Sequence, residues 1–247
     1  MFPICDHNPS GRRPYVTFAL IAANVAIFVG YWVALPGDTQ LAYFFFNWGL
    51  VPERLMQGQG FATIFTSMFL HGGWMHLLGN MWFLWIFGDN LEDEMGHRSF
   101  AGFYLLSGCA AAALQVAISP YSPLPMVGAS GAIAGVMGGY LLLFPKARVD
   151  VLFIFIIFFR IFPIPAWIVL GVWIGLQLIS GAATPTEAGG VAYWAHIGGF
   201  AGGLCLTIPA LLRRGGSGYW VRTGGEPPHP AAQYPLSKSL VPRVPRR

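Results

Sequence analysis

Two short motifs place a serine and a histidine inside long apolar segments. Ser130 lies in a Gly-Ala-Ser-Gly string, and His196 lies 66 residues later in an Ala-His-Ile-Gly-Gly string. A polar or ionisable side chain in a membrane segment is costly, so it marks a functional site by default. Serine with histidine is the smallest set that performs nucleophilic acyl transfer, because a neutral imidazole can accept the hydroxyl proton during attack. If the two segments meet, the pair could cleave a peptide bond within a bilayer.

A third segment carries polar groups suited to the same reaction. His76 and Asn80 are four residues apart and share one face of a predicted helix. The oxyanion that forms during acyl transfer needs preorganised donors, and these side chains with the backbone N–H groups of Ser130 and Gly131 could supply them. We expect His71, in the same segment, to stabilise a loop–helix junction instead.

Taken singly, each of these residues also has a purely structural explanation. Ser130 could be a small packing residue, and His196 could bond one helix to another. The combination favours an enzyme. None of the ten acidic residues lies in the outer half of a predicted span. We therefore predict a Ser–His dyad in which packing orients the imidazole, rather than a triad with a carboxylate.

The composition is that of a polytopic membrane protein with an all-α fold. Of the 247 residues, 55% are hydrophobic and 10% are charged, whereas soluble domains carry about 25% charged residues. The net charge of +4 is accompanied by no basic helix or RNA-binding aromatic motif, so nucleic acid is not a predicted partner. The odd number of cysteines, three, and the lack of a Cys/His cluster indicate neither a disulfide framework nor a metal site.

Apolar runs predict six transmembrane helices within residues 15–212. Residues 1–14 form a polar N-terminal segment, and residues 213–247 form a basic tail rich in proline and glycine that we expect to be disordered. The run Val151–Phe159 is too short to span, so we interpret it as an interfacial or re-entrant stretch, or as part of one long broken helix. The six predicted spans are Tyr15–Leu35, Phe61–Phe87, Phe100–Ile118, Val127–Phe144, Pro163–Ile179 and Val191–Leu212.

The distribution of positive charge predicts the orientation of these spans. If both termini are cytoplasmic, every lysine and arginine except Arg54 lies on the inner side. This orientation, together with the apolar composition, predicts a multi-pass protein of the plasma membrane. It places Ser130 and His196 near the outer ends of their helices. On the outer side, Gly181–Gly190 could act as a mobile lid, and on the inner side Leu91–Glu94 is expected to be a solvated loop.

Glycine spacing predicts that the serine and histidine helices pack closely. Gly131, Gly135 and Gly139 recur every four residues after the serine, and Gly199 and Gly203 do so after the histidine. Small residues at this spacing let helix backbones approach each other in lipid. Such an approach is required if the short serine side chain is to reach the imidazole.

Three ordered strings give the chain a specific resemblance to the rhomboid intramembrane serine proteases, over about Tyr15 to Leu212. The resemblance implies that Ser130 is the nucleophile and His196 the general base. The strings are His71-Gly-Gly-Trp-Met-His76-Leu-Leu-Gly-Asn80, Gly128-Ala-Ser130-Gly131 and Ala195-His196-Ile-Gly-Gly199-Phe-Ala-Gly-Gly203.

The same resemblance implies further roles and a substrate class. It implies that His76 and Asn80 stabilise the oxyanion and that Gly128 and Gly131 form the tight turn around the serine. It also implies transmembrane proteins as substrates, the lipid bilayer as environment, and neither metal nor cofactor. One departure concerns Ala134, because some family members place a tyrosine there, stacked on the histidine. Something else must then hold the imidazole in this chain.

Two other functions remain as alternatives. The chain could be an inactive rhomboid-like protein that binds and retains membrane helices, although its intact Ser, His and Asn argue against this. A small-solute transporter should show inverted repeats and charges paired at mid-membrane, and the sequence has neither.

Overall fold

The computed structural model describes residues 2–6, 8, 10–155, 158–185 and 189–227, and these form a helical bundle with one small sheet. The predicted all-α polytopic bundle is confirmed for the body of the chain. The helices are α1 (Tyr15–Ala34), α2 (Asp38–Trp48), α3 (Pro52–Met56), α4 (Thr63–Thr66), α5 (Trp74–Met95), α6 (His97–Ile118), α7 (Ser130–Leu143), α8 (Ala166–Ala183), α9 (Tyr193–Arg213) and α10 (Ser217–Thr223).

Four of the helices in the described ranges are long and apolar enough to cross a membrane: α1, α6, α8 and α9. The helix α7 is apolar and mostly buried in the bundle, but it has only 14 residues. The helix α5 has 22 residues but carries four acidic residues in its second half. The count of six spans therefore stays a prediction.

The helix α5 begins at Trp74, so the prediction of one span from Phe61 is wrong. The segment before it forms the short helix α4 and a 3₁₀ turn over Ser67–Phe69. The hydroxyl of Thr63 donates to the carbonyl of Gly60 at 2.6 Å, and Thr66 donates to the carbonyl of Trp48 at 2.6 Å. The local bond of Thr63 competes with a continuing helix, and the bond of Thr66 ties the short helix to the end of α2.

Three antiparallel strands lie in the order β1 (Phe2–Asp6), β2 (Arg148–Phe155), β3 (Phe158–Pro165). The alternative of one long broken helix is therefore wrong, because Val151–Phe155 lies in β2 and Phe158 and Phe159 lie in β3. The interfacial or re-entrant placement stays a prediction. Valine, isoleucine and phenylalanine favour a pleated surface, and the prolines of β3 are tolerated because β3 is an edge strand. The indole of Trp82 donates to the carbonyl of Pro3 at 2.7 Å and so fastens the sheet to α5.

Part of the predicted tail packs against the end of α7 and the residues that lead into β2. The helix α10 lies in it, and the indole of Trp220 donates to the carbonyl of Leu142 at 3.0 Å. The backbone N–H of Lys146 donates to the carbonyl of Gly225 at 2.9 Å. The rest of the predicted disordered tail, residues 228–247, lies outside the described residues.

Glu92 is buried, so the prediction of a solvated loop over residues 91–94 is wrong. Its side chain is 1% exposed and accepts the backbone N–H groups of Val16 and Thr17, each at 2.8 Å. It also accepts the hydroxyl of Thr17 at 2.7 Å and lies 2.5 Å from Nδ1 of His97. The first turn of α1 has no cap from its own flanking residue. A carboxylate from α5 thus satisfies these N–H groups and complements the positive end of the α1 dipole.

Replacing Glu92 with alanine is expected to lower the free energy of unfolding by about 2 kcal/mol, because one buried and one half-buried N–H group and a hydroxyl lose their acceptor. Glu92→Gln keeps an acceptor oxygen, so its free energy of unfolding should fall by less. Unfolding in detergent would measure both, with the exposed Glu226→Ala as the matched control. A Glu92→Ala protein as stable as this control would contradict the capping role.

Candidate active site

The backbones of α7 and α9 are in direct contact along a line of glycines. A Cβ added to Gly199 would overlap the carbonyl oxygen of Gly131, and one added to Gly203 would overlap that of Gly135. A Cβ on Gly131 would lie 2.5 Å from the Cβ of Ala111 on α6. These positions admit no side chain, so the glycines set the distance between the two helices.

This packing brings Ser130 and His196 together. Ser130 is the first residue of α7, and His196 lies in the first turn of α9. The Oγ atom of Ser130 lies 2.8 Å from Nε2 of His196, within hydrogen-bond distance, and both residues are half-buried. A serine hydroxyl bonded to an imidazole can transfer its proton as it attacks an electrophile.

The start of α9 is held from a neighbouring helix. The backbone N–H of Ala195, which has no partner within its own helix, donates to Oε1 of Gln115 on α6 at 3.2 Å. This bond fixes the first turn of α9 one residue before the histidine. Gln115 therefore helps to place His196 without touching its ring.

Two residues of α8 contact the imidazole, and the sequence analysis missed both. Nδ1 of His196 lies 2.8 Å from Oε1 of Gln177. The ring centroid of Trp173 lies 5.7 Å from that of His196, with 35° between the planes. The prediction that packing alone orients the imidazole is thus incomplete. A signal was present, since Gln177 is a polar side chain within an apolar span, the criterion that singled out Ser130 and His196.

Gly128 makes room for His76 beside the serine. Its φ of +136° suits glycine alone, and a Cβ there would lie 2.8 Å from Nε2 of His76. The backbone N–H of Gly72 donates to Nδ1 of His76 at 3.3 Å. In the neutral imidazole the proton is then on Nε2, so His76 presents a donor at the turn that precedes Ser130.

Asn80 lies one turn further along α5. It is 7% exposed, and its side-chain N–H donates to the carbonyl of His76 at 2.7 Å. This bond holds the amide in one rotamer. A primary amide has a second N–H, which stays available for a bound group.

His71 lies ahead of α5 and is fully buried. Its backbone N–H donates to the hydroxyl of Tyr31 at 3.0 Å, and its carbonyl accepts that hydroxyl at 2.5 Å. Its ring centroid lies 5.1 Å from that of His76. These contacts fit the structural role expected for His71 at this junction.

A cavity of about 990 Å³ connects these groups. Ser130, His196, His76 and Asn80 all line it, and Gly189 and Gly190 border it. Polar groups on one side of a roomy cavity can hold water. The predicted lid falls partly outside the described residues, because the structure does not describe residues 186–188.

A family model for the rhomboid domain matches residues 58–213. The chain is 30% identical over 195 residues to Rhomboid protein 1, mitochondrial, of Saccharomyces cerevisiae, covering 74% of this chain and 50% of that protein. It is 38% identical over 94 residues to RHOMBOID-like protein 6, mitochondrial, of Arabidopsis thaliana, covering 36% and 28%.

A third relative is also named as a rhomboid-like protein. The chain is 29% identical over 152 residues to the human Presenilin-associated rhomboid-like protein, mitochondrial, covering 60% of this chain and 38% of that protein. The chain spans half or less of the length of each of these three relatives.

The names of these relatives correct the predicted location. All three are named as mitochondrial proteins, and none is named as a protein of the plasma membrane. The prediction of a plasma-membrane protein with cytoplasmic termini is therefore wrong. Its other part, a multi-pass membrane protein, agrees with the four apolar helices.

Proposed function

The chain belongs to the rhomboid family, and on this premise we propose that it is an intramembrane serine endopeptidase. Its substrates would be membrane proteins, cut in or near a transmembrane segment. One observation carries the proposal: the hydroxyl of Ser130 lies 2.8 Å from Nε2 of His196, at the wall of a large cavity between membrane helices.

The first half of the proposed reaction forms an acyl-enzyme. Oγ of Ser130 bonds to the carbonyl carbon while its proton passes to Nε2 of His196, and the carbonyl oxygen becomes an oxyanion. The imidazolium then gives that proton to the leaving nitrogen as the carbon–nitrogen bond breaks. The ester on Ser130 remains.

The second half hydrolyses the ester. A water molecule attacks the acyl carbon while its proton passes to His196, and the proton then returns to Oγ as the carbon–oxygen bond to the serine breaks. The products are a new carboxylate and free Ser130. The cavity of about 990 Å³ gives water access to a site placed between apolar helices.

Three groups would stabilise the oxyanion. His76 presents an Nε2 proton beside Gly128, and Asn80 has a free amide hydrogen on the same side of the cavity. Ser130 begins α7, so unpaired backbone N–H groups and the positive end of the helix dipole lie next to the reacting atoms.

The test is cleavage of a single-span reporter protein by the parent chain in liposomes. We expect two fragments, with one ¹⁸O atom in the new carboxylate when the reaction runs in H₂¹⁸O. His196→Ala, which removes the general base, is the matched control and should leave the reporter intact. A parent chain that binds the reporter without cutting it would instead be an inactive rhomboid-like protein, and the proposal would fail.

A further inference from the structure

We propose that Gln177 is the third member of this site, a positioning residue that selects the reactive tautomer of His196. The inference rests on the proposed function and deepens it. Some family members stack a tyrosine of the serine helix on this histidine, and this chain has Ala134 at that position.

Hydrogen bonds at both ring nitrogens define the state of the imidazole. Nδ1 lies 2.8 Å from the amide oxygen of Gln177, and Nε2 lies 2.8 Å from the hydroxyl of Ser130. An amide oxygen only accepts hydrogen bonds, so Nδ1 carries the proton of the neutral ring. Nε2 is then the acceptor, which is the state that can take the serine proton.

The opposite tautomer would be inactive. A proton on Nε2 would face Ser130 and leave no base for its hydroxyl. Nothing on α7 prevents that tautomer, because Ala134 offers only a methyl group and is fully buried. The selection therefore falls to the amide of Gln177.

Residues of α8 contact the face of the His196 imidazole as well as its edge. Trp173 lies one turn before Gln177, and its ring centroid is 5.7 Å from that of His196. The same indole lies 6.3 Å from the ring of Phe200, which is one turn after the histidine on α9. The amide and the indole together leave the imidazole one orientation, toward Ser130.

The amide also acts when the ring becomes positive. During attack the imidazolium carries a proton on each nitrogen, and the carbonyl dipole of Gln177 stabilises the proton on Nδ1. Loss of a hydrogen bond to a charged group changes an equilibrium or rate by about 10–100-fold. A residue that merely joined α8 to α9 would change stability without changing the acid limb of the pH profile.

The experiment measures kcat, KM and their pH dependence for reporter cleavage in liposomes. Gln177→Met keeps the length and volume of the side chain but has no strong acceptor; we expect kcat to fall about 10–100-fold, the effect of losing a hydrogen bond to the imidazolium, with KM within about twofold. Gln177→Glu restores an acceptor and adds a negative charge, which stabilises the imidazolium. The acid limb of its kcat/KM profile should therefore move to higher pH. The exposed Gln57→Met is the matched control.

A second measurement does not depend on turnover. In protein labelled with ¹⁵N-histidine, the nitrogen shifts of His196 should report a proton on Nδ1 in the parent chain. A parent chain with the proton on Nε2 overturns the inference, even if no variant folds. An active parent chain whose Gln177→Met variant keeps the parent kcat overturns the inference alone, whereas a folded but inactive parent chain overturns the proposed function as well.

Discussion

Ser130→Ala is expected to lower reporter cleavage by at least about 10⁴-fold, because the variant lacks the hydroxyl that lies 2.8 Å from Nε2 of His196. Labelling by a serine-directed fluorophosphonate should be lost with it. The variant should still bind the reporter, since removing one hydroxyl leaves the cavity and its other polar groups in place.

Two further variants make this result specific. His196→Ala should lower the rate of reporter cleavage about as much as Ser130→Ala does. The double variant should lower it little further, because the two residues act as one unit. Ser217→Ala is the matched control, since Ser217 is also the first residue of a helix, α10, and lies outside the site. If Ser130→Ala cuts the reporter at a rate near that of the parent chain, the assigned nucleophile is wrong.

Gly199→Val is expected to have the largest effect on the fold, a loss of about 3 kcal/mol or more in the free energy of unfolding. The new Cβ would overlap the carbonyl oxygen of Gly131, and backbone cannot move aside as the end of a side chain can. The helices α7 and α9 would have to separate. The hydrogen bond between Ser130 and His196 should then be lost even in molecules that stay folded.

The control for this variant lies on α8. Gly171 has no neighbouring atom within 4 Å of an added Cβ, so Gly171→Val changes helix propensity without a clash. Unfolding in detergent and fluorophosphonate labelling would compare the two proteins. Equal stability of Gly199→Val and Gly171→Val would show that the glycine contact does not set the helix spacing.

The pairing of Ser130 with His196 could be predicted because its signals are local. A polar residue in an apolar run and glycines at a spacing of four are visible in any single segment. The start of α5 at Trp74 could not be predicted in this way. The segment before it is also apolar overall, in spite of its threonine, serine and glycine residues, so its hydropathy resembles that of a helix. Composition shows that the segment is apolar, but the side-chain hydrogen bonds decide where the helix begins.

The other errors concern partners far apart in the chain. The burial of Glu92 depends on the first turn of α1, about 75 residues earlier. The strand β2 looked like a short membrane-associated run, since its partner β1 lies in a segment with little pattern of its own. The bond from Gln177 to His196 joins two helices whose relative rotation cannot be obtained from periodicity.

The pairing of β1 with β2 has a consequence for how often the chain crosses the membrane. Two strands can share hydrogen bonds only on one side of a bilayer, so Phe2–Asp6 and Arg148–Phe155 lie on the same side. The bond between Lys146 and Gly225 places the region after α9 there too. The chain must therefore cross an even number of times between β1 and β2, and again between β2 and Gly225. This parity follows from hydrogen bonds alone and needs no count of charges.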